Sequence, residues 1–264
     1  MAQRRVRVRR ERPTTLAWTV ALCVTMLAVY ALTLNAGRPD VVESMAPAPR
    51  VTREIEFAAL KGWCVSMARC DSDQEARLAA SAYCGRGAGG YVARLDGQWQ
   101  VLGAVYASEK DAARIAKRLA SDEDIPAEAL CVEAARVKLR VTAPQAQIDA
   151  ISAADALLRA QTKRLGEIAL QLDRGEIRPD GVRTLCAVAA EEAAAAGRTL
   201  SDIPGAAENA LCAALIGRLG ALADMESALA ASTGEKGATL SGMLRCAQIE
   251  SFLGQVETME GMRN

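Results

Sequence analysis

The chain has 264 residues, with 32 Lys+Arg against 32 Asp+Glu, 3% aromatic residues, eight cysteines and no histidine. The missing histidine excludes Ser-His-Asp and Cys-His catalysis, histidine zinc sites and HExxH metalloproteases, so the chain reads as a non-enzyme with no cofactor or metal. Alanine and leucine dominate and favour helices, while the few aromatics leave little for a stacking surface or a large β-sandwich core.

The first stretch with a clear physical meaning is Leu16 to Leu34. It has no charge and only three polar residues, Thr19, Thr25 and Thr33. At helical rise its nineteen residues span about 28 Å, close to the hydrocarbon thickness of a bilayer. In lipid such a segment has to be helical to satisfy its own backbone. Six arginines precede it (Arg4, Arg5, Arg7, Arg9, Arg10, Arg12), which places residues 1–15 in the cytoplasm and everything after Leu34 outside. The run exceeds a signal-peptide core, and its exit lacks an Ala-x-Ala site, which favours a retained anchor at 16–34 in the bilayer of a bacterial cytoplasmic membrane. Six of the positive charges stay inside, so the exported part is net acidic, which argues against a nucleic-acid partner.

Residues 35–61 read as a linker: Gly37 to Thr52 carries three prolines, mixed charge and no apolar period. From Gly62 an internal repeat appears at an offset of 36, aligning Val65, Ala68, Ser72 and Ala76 with Val101, Ala104, Ser108 and Ala112. Each copy predicts a strand, then a serine N-cap followed by acids, then a helix, over Asp71–Cys84 and Ser108–Ala120. Between them Tyr91–Leu95 and Gln98–Gly103 flank Asp96-Gly97, the signal of a tight hairpin. That hairpin pairs Ala93 with Gln100 and Tyr91 with Leu102. A last strand is predicted over Leu130–Val141. The order is β-α-β-β-α-β, an antiparallel sheet with two helices on one face. By alternation Val65, Met67, Val101 and Gly103 face those helices, with Trp63 and Trp99 on the same parity as core aromatics. Cys64, Ser66, Gln100, Leu102 and Tyr91 face the other way.

Residues 62–141 resemble the SPOR domain family. The resemblance rests on Val65–Ala76 and on Trp99-Gln-Val-Leu-Gly-Ala-Val-Tyr-Ala-Ser-Glu-Lys-Asp-Ala112, and covers about 80 residues. It implies an RNP-like βαββαβ domain with a four-stranded antiparallel sheet, outside the membrane of a bacterial division or sporulation protein. It further implies septal peptidoglycan glycan strands as the partner, read by the open sheet face through Ser66, Tyr91, Gln100 and Leu102. The chain departs from the family at Ser66, where a glutamine is usual, and at Leu102. A face this apolar has an alternative reading as a surface covered by the C-terminal helices or by another protein. In the implied sheet Cys64 and Cys131 lie on neighbouring strands, either as two thiols or as a bridge.

Residues 145–262 read as an all-α bundle, making the whole an α+β protein. Ile151, Leu158, Leu165 and Leu172 repeat every seven residues. A second helix is predicted from about Asp180 to Ala196, stopping at Gly197. A third runs from about Pro204 to Ala231, and a fourth from about Thr239 to Met262, with short loops. Cys186, Cys212 and Cys246 fall one per helix as core fillers, and seven extracytoplasmic cysteines cannot all pair with one another. Glu191-Glu192 and Asp224 to Glu226 read as solvated faces. The bundle offers a surface for an envelope or division protein, so the alternative function is a non-catalytic envelope scaffold.

Overall fold

A tight turn sets the register of the sheet. Asp96 and Gly97 both take positive φ, 49° and 82°, the combination that suits the twist of a two-residue hairpin. Strands β3 (Tyr91–Leu95) and β4 (Gln98–Tyr106) therefore pair Leu95 with Gln98, Ala93 with Gln100 and Tyr91 with Leu102, as the sequence predicts. The computed structural model describes residues 49–263. The predicted anchor 16–34, the basic residues 1–15 and the start of the linker lie outside them. Among the described residues no helix is long and apolar enough to cross a membrane. Pro49–Asn264 forms a compact unit by itself, with its own hydrophobic core, so it meets the physical criterion for folding alone.

The fold is α+β. Strand β2 (Leu60–Cys70) pairs antiparallel with both β4 and β5 (Glu128–Ala134), giving the order β3-β4-β2-β5. Helix α1 (Asp73–Cys84) follows β2, and α2 (Glu109–Asp122) follows β4, so both repeat copies fold as strand then helix. Their predicted caps are in place. The backbone N–H of Glu75 donates to Ser72 Oγ at 3.2 Å, and that of Asp111 to Ser108 Oγ at 3.4 Å. Replacing Ser72 with alanine is expected to cost about 1 kcal/mol, read as a lowered urea midpoint with unchanged slope. An unchanged midpoint would show that the cap contributes nothing.

Two predictions need correction here. The linker at 35–61 contains a strand, β1 (Arg50–Phe57), and the single last strand is two, β5 and β6 (Val137–Pro144). β1 and β6 pair in a separate two-stranded sheet, with Phe57 opposite Val137 and Arg50 opposite Pro144. The signal for β1 was the alternation of Val51, Ile55 and Phe57, masked by the charges between them. Those charges pair across the ladder: Lys138 Nζ lies 3.0 Å from Glu54 Oε1 and 3.5 Å from Glu56 Oε2. The apolar side, with Ile55, Phe57 and Val137, is buried in the core that includes Ile148 and Ile151.

Helices α3 (Gln145–Asp173), α4 (Pro179–Ser201), α5 (Ala210–Ala231) and α6 (Gly237–Gly261) pack together, α4 along α5 and α3 along α6. The heptad stripe Ile151, Leu158, Leu165 and Leu172 is buried, as predicted. Gly197 does not end α4. A Cβ there would sit 3.7 Å from Leu219 Cβ, in ordinary van der Waals contact, and the helix runs on through it to Ser201. Helix α5 starts later than predicted, where Asn209 Oδ1 accepts from the N–H groups of Leu211 and Cys212 at 3.0 and 3.2 Å.

Candidate functional site

Side-chain alternation divides the sheet as the sequence predicts. Val65 and Met67 pack with Ala112 and Ala116 of α2, and Val101 packs with Ala76 and Ala80 of α1. Trp63 and Trp99 join these two clusters as half-buried core aromatics. A bulge in β2 around Ser66 shifts its register against β4. Beyond it Ala68 and Cys70 turn toward the α1 side, which is where a bulge re-aims a strand.

The opposite face, which the resemblance leaves open for a glycan, is closed. Cys64, Leu102 and Val105 share one core with Leu244, Ile249 and Phe252 of α6. Ser66, Gln100 and Leu102 are 1%, 3% and 0% exposed. Ser66 Oγ donates to Gln100 Oε1 at 2.6 Å, so these polar groups satisfy each other within the covered face. Tyr91 is half-buried against the same core, and burial, reinforced by Glu250 and Glu257, pushes its phenol pKa up. The structure thus brings the four predicted residues together on one face and lays a helix over them.

Glycines fit that helix to the sheet, a signal the strand pattern does not carry. A Cβ on Gly62 would lie 2.6 Å from Phe252 Cζ and 2.9 Å from Val105 Cγ2. One on Gly242 would lie 2.7 Å from the Ala88 carbonyl oxygen and 2.8 Å from that of Cys84. Arg245 Nη1 donates to the Gly87 carbonyl at 2.6 Å, tying α6 to the loop after α1.

Where β2 and β4 run out from under α6, a cleft of about 410 Å³ opens between them, α3 and α6. Gly62, Val105 and Phe252 contribute its apolar lining. Lys61, Arg159, Lys163 and Arg245 line it, each held in an ion pair, with Glu133, Asp155, Glu167 and Asp173 in turn. Gln255 also borders it and donates through Nε2 to Thr162 Oγ1 at 2.6 Å, while its buried Oε1 has no partner among the described residues. An apolar group with a polar rim suits such a lining. Sequence reasoning missed this site because its residues come from four separated elements.

A buried polar group sits elsewhere among the helices. Glu226, predicted as part of a solvated face, is 1% exposed. Burial pushes its carboxyl up to about 7, with Glu192 adding to the shift and Arg164 opposing it. Arg164 Nη1 lies 3.7 Å from Glu192 Oε2, and Gln161 Nε2 donates to the Ala189 carbonyl at 3.0 Å. Glu226 Oε2 and Gln161 Oε1 have no hydrogen-bond partner among the described residues. Nor does any group of three or more histidine, cysteine or acidic residues suited to a metal occur among them.

The seven described cysteines are free thiols: Cys64, Cys70, Cys186 and Cys212 are buried and Cys131 is exposed. Burial pushes the Cys64 thiol up to about 12, and the Cys186 and Cys246 thiols up to about 11. Cys64 and Cys131 do lie on neighbouring strands, but Cys64 stands opposite Leu130 and Cys131 opposite Trp63, and the two remain thiols. In comparisons with known proteins the chain matches no family model, no curated protein and no solved structure.

Proposed function

We propose that the chain is a non-catalytic scaffold of the bacterial cell envelope, tethered to the cytoplasmic membrane through residues 16–34, with its folded part outside. In this reading the SPOR-like sheet has given up septal glycan binding and carries a helix instead. The observation that supports it is the burial of Ser66, Gln100 and Leu102 beneath α6. A glycan strand would have to displace α6 and expose Leu102, Leu244 and Phe252, each worth roughly 1.5–3 kcal/mol in burial.

The partner is a protein segment with an apolar side chain set among acids. It inserts between the sheet and α3, where the cleft has an apolar floor rimmed by cations whose present ion-pair partners it would replace. Complementary charge speeds encounter and selects the partner more than it adds affinity.

The unit Pro49–Asn264 is expected to remain in the supernatant with cell-wall sacculi, whether intact or stripped by amidase. Retention on the stripped wall alone would restore the glycan-reading function in cell division or sporulation. Photo-crosslinking from position 163 in cells is expected to give one discrete protein adduct, lost when Arg159 is replaced by glutamate. No adduct at that position would sink the scaffold reading.

A further inference from the structure

A second cleft, of about 520 Å³, lies on the other side of the sheet, between α2, the loop after α1 and the facing ends of α3 and α6. Its apolar lining is aliphatic over much of its extent, with Val65, Met67, Ile115, Leu119 and Ile125. Five arginines line it, Arg86, Arg114, Arg118, Arg174 and Arg245, with two acids, Glu123 and Asp173.

The arginines are not equivalent. Arg86 is paired with Glu123, and Arg245 with Asp173. Arg114 lies 3.0 Å from Asp111, and Arg174 lies 3.7 Å from Glu176. The Arg118 side chain is exposed and its guanidinium has neither an ion pair nor a hydrogen bond among the described residues, whereas its four neighbours in the lining are all neutralised. Tyr106 borders the same cleft. Burial pushes its phenol pKa up while Arg245, Arg118 and Arg114 pull the other way, so at neutral pH it holds its proton. A hydroxyl donor in a cleft beside one uncommitted guanidinium is an arrangement for an anion.

We propose that this cleft binds a single-chain amphiphilic carboxylate, its headgroup on Arg118 and the Tyr106 hydroxyl and its aliphatic chain along Met67, Ile115 and Leu119. The aliphatic residues supply the apolar wall an alkyl chain needs, beside the rings of Tyr83 and Tyr106. The one unpaired cation of the lining, Arg118, disfavours a cationic amphiphile of the same length. The volume is that of a small-molecule site and does not require movement of either helix. This inference stands apart from the scaffold reading, because Arg118 lines this cleft and not the one assigned to the protein partner.

The test is calorimetric titration of the unit Pro49–Asn264 with dodecanoate below its micellar concentration. Saturable binding of one dodecanoate per chain is expected, at least about tenfold tighter than dodecyltrimethylammonium, with acetate giving no measurable heat. Arg118→Ala is expected to weaken dodecanoate binding about tenfold or more. Arg53→Ala, on the exposed side of β1, serves as the charge control and is expected to leave binding unchanged. Three results would overturn the proposal: no dodecanoate binding, equal binding of the cationic amphiphile, or equal losses in the two arginine variants. Failure here leaves the crosslinking result at position 163 untouched, so the two readings fall separately.

Discussion

A Glu226→Gln chain is expected to be more stable than the wild type above pH 7 and close to it below about pH 5. The Glu226 carboxyl titrates near 4.5 when unfolded, and burial raises it to about 7 in the fold. Between those values the folded state holds a proton that the unfolded state has released. Stability therefore falls as pH rises through this window, and the loss is complete above the folded value. A shift of this size corresponds to about 3 kcal/mol. Arg164 of α3 and Glu192 of α4 face the group and partly cancel, leaving burial as the dominant cause. Glutamine keeps the shape without the charge, so the variant is expected to lose this part of the pH dependence. Urea unfolding at pH 5 and pH 8.5 decides it: parallel pH profiles for the two chains would show that Glu226 does not carry the effect.

The second large effect is expected at the junction of helix and sheet. Phe252→Ala is expected to cost about 3–5 kcal/mol, the range for removing a buried aromatic side chain. Phe252 is buried in the core that joins α6 to Leu102 and Val105, and its ring fills the space that the missing side chain of Gly62 leaves. Loosening that contact is also expected to speed alkylation of Cys64, which lies fully buried in the same core. The thiol reacts as thiolate, and burial holds it protonated in the intact fold. A loss below about 1 kcal/mol, with Cys64 still protected, would mean that Phe252 does not hold the helix to the sheet.

These two residues also mark the limit of what local pattern reveals. Asp96-Gly97 dictated the hairpin and its register, because the turn needs positive φ at both positions and few other residue pairs supply it. Ser72 and Ser108 marked the helix starts, since a hydroxyl that caps an N-terminus does so through its own turn. The period-seven stripe of α3 and the period-two faces of β2 and β4 were equally legible, because each is a property of one element's geometry. Within the glycan-site expectation, the shared face of Ser66, Tyr91, Gln100 and Leu102 was readable for the same reason.

The C-terminal helices were one of two covers the sequence allowed for that face, and which helix lies on it was not readable. An apolar strand face states that it is buried and leaves open against what. Here α6 answers, through the close approaches at Gly62 and Gly242, which join residues more than 150 positions apart in sequence. The same holds for β1, whose partner β6 lies beyond the whole sheet in sequence, and for Glu226, whose charges look like a solvated run until α3 and α4 close over them. Both clefts belong to this class, since their linings are assembled from distant elements. Turns, caps and faces were legible in the chain, because these depend on neighbours within a few residues. Which faces meet is set by the packed molecule, because burial, desolvation and close packing depend on which surfaces the folded chain brings into contact.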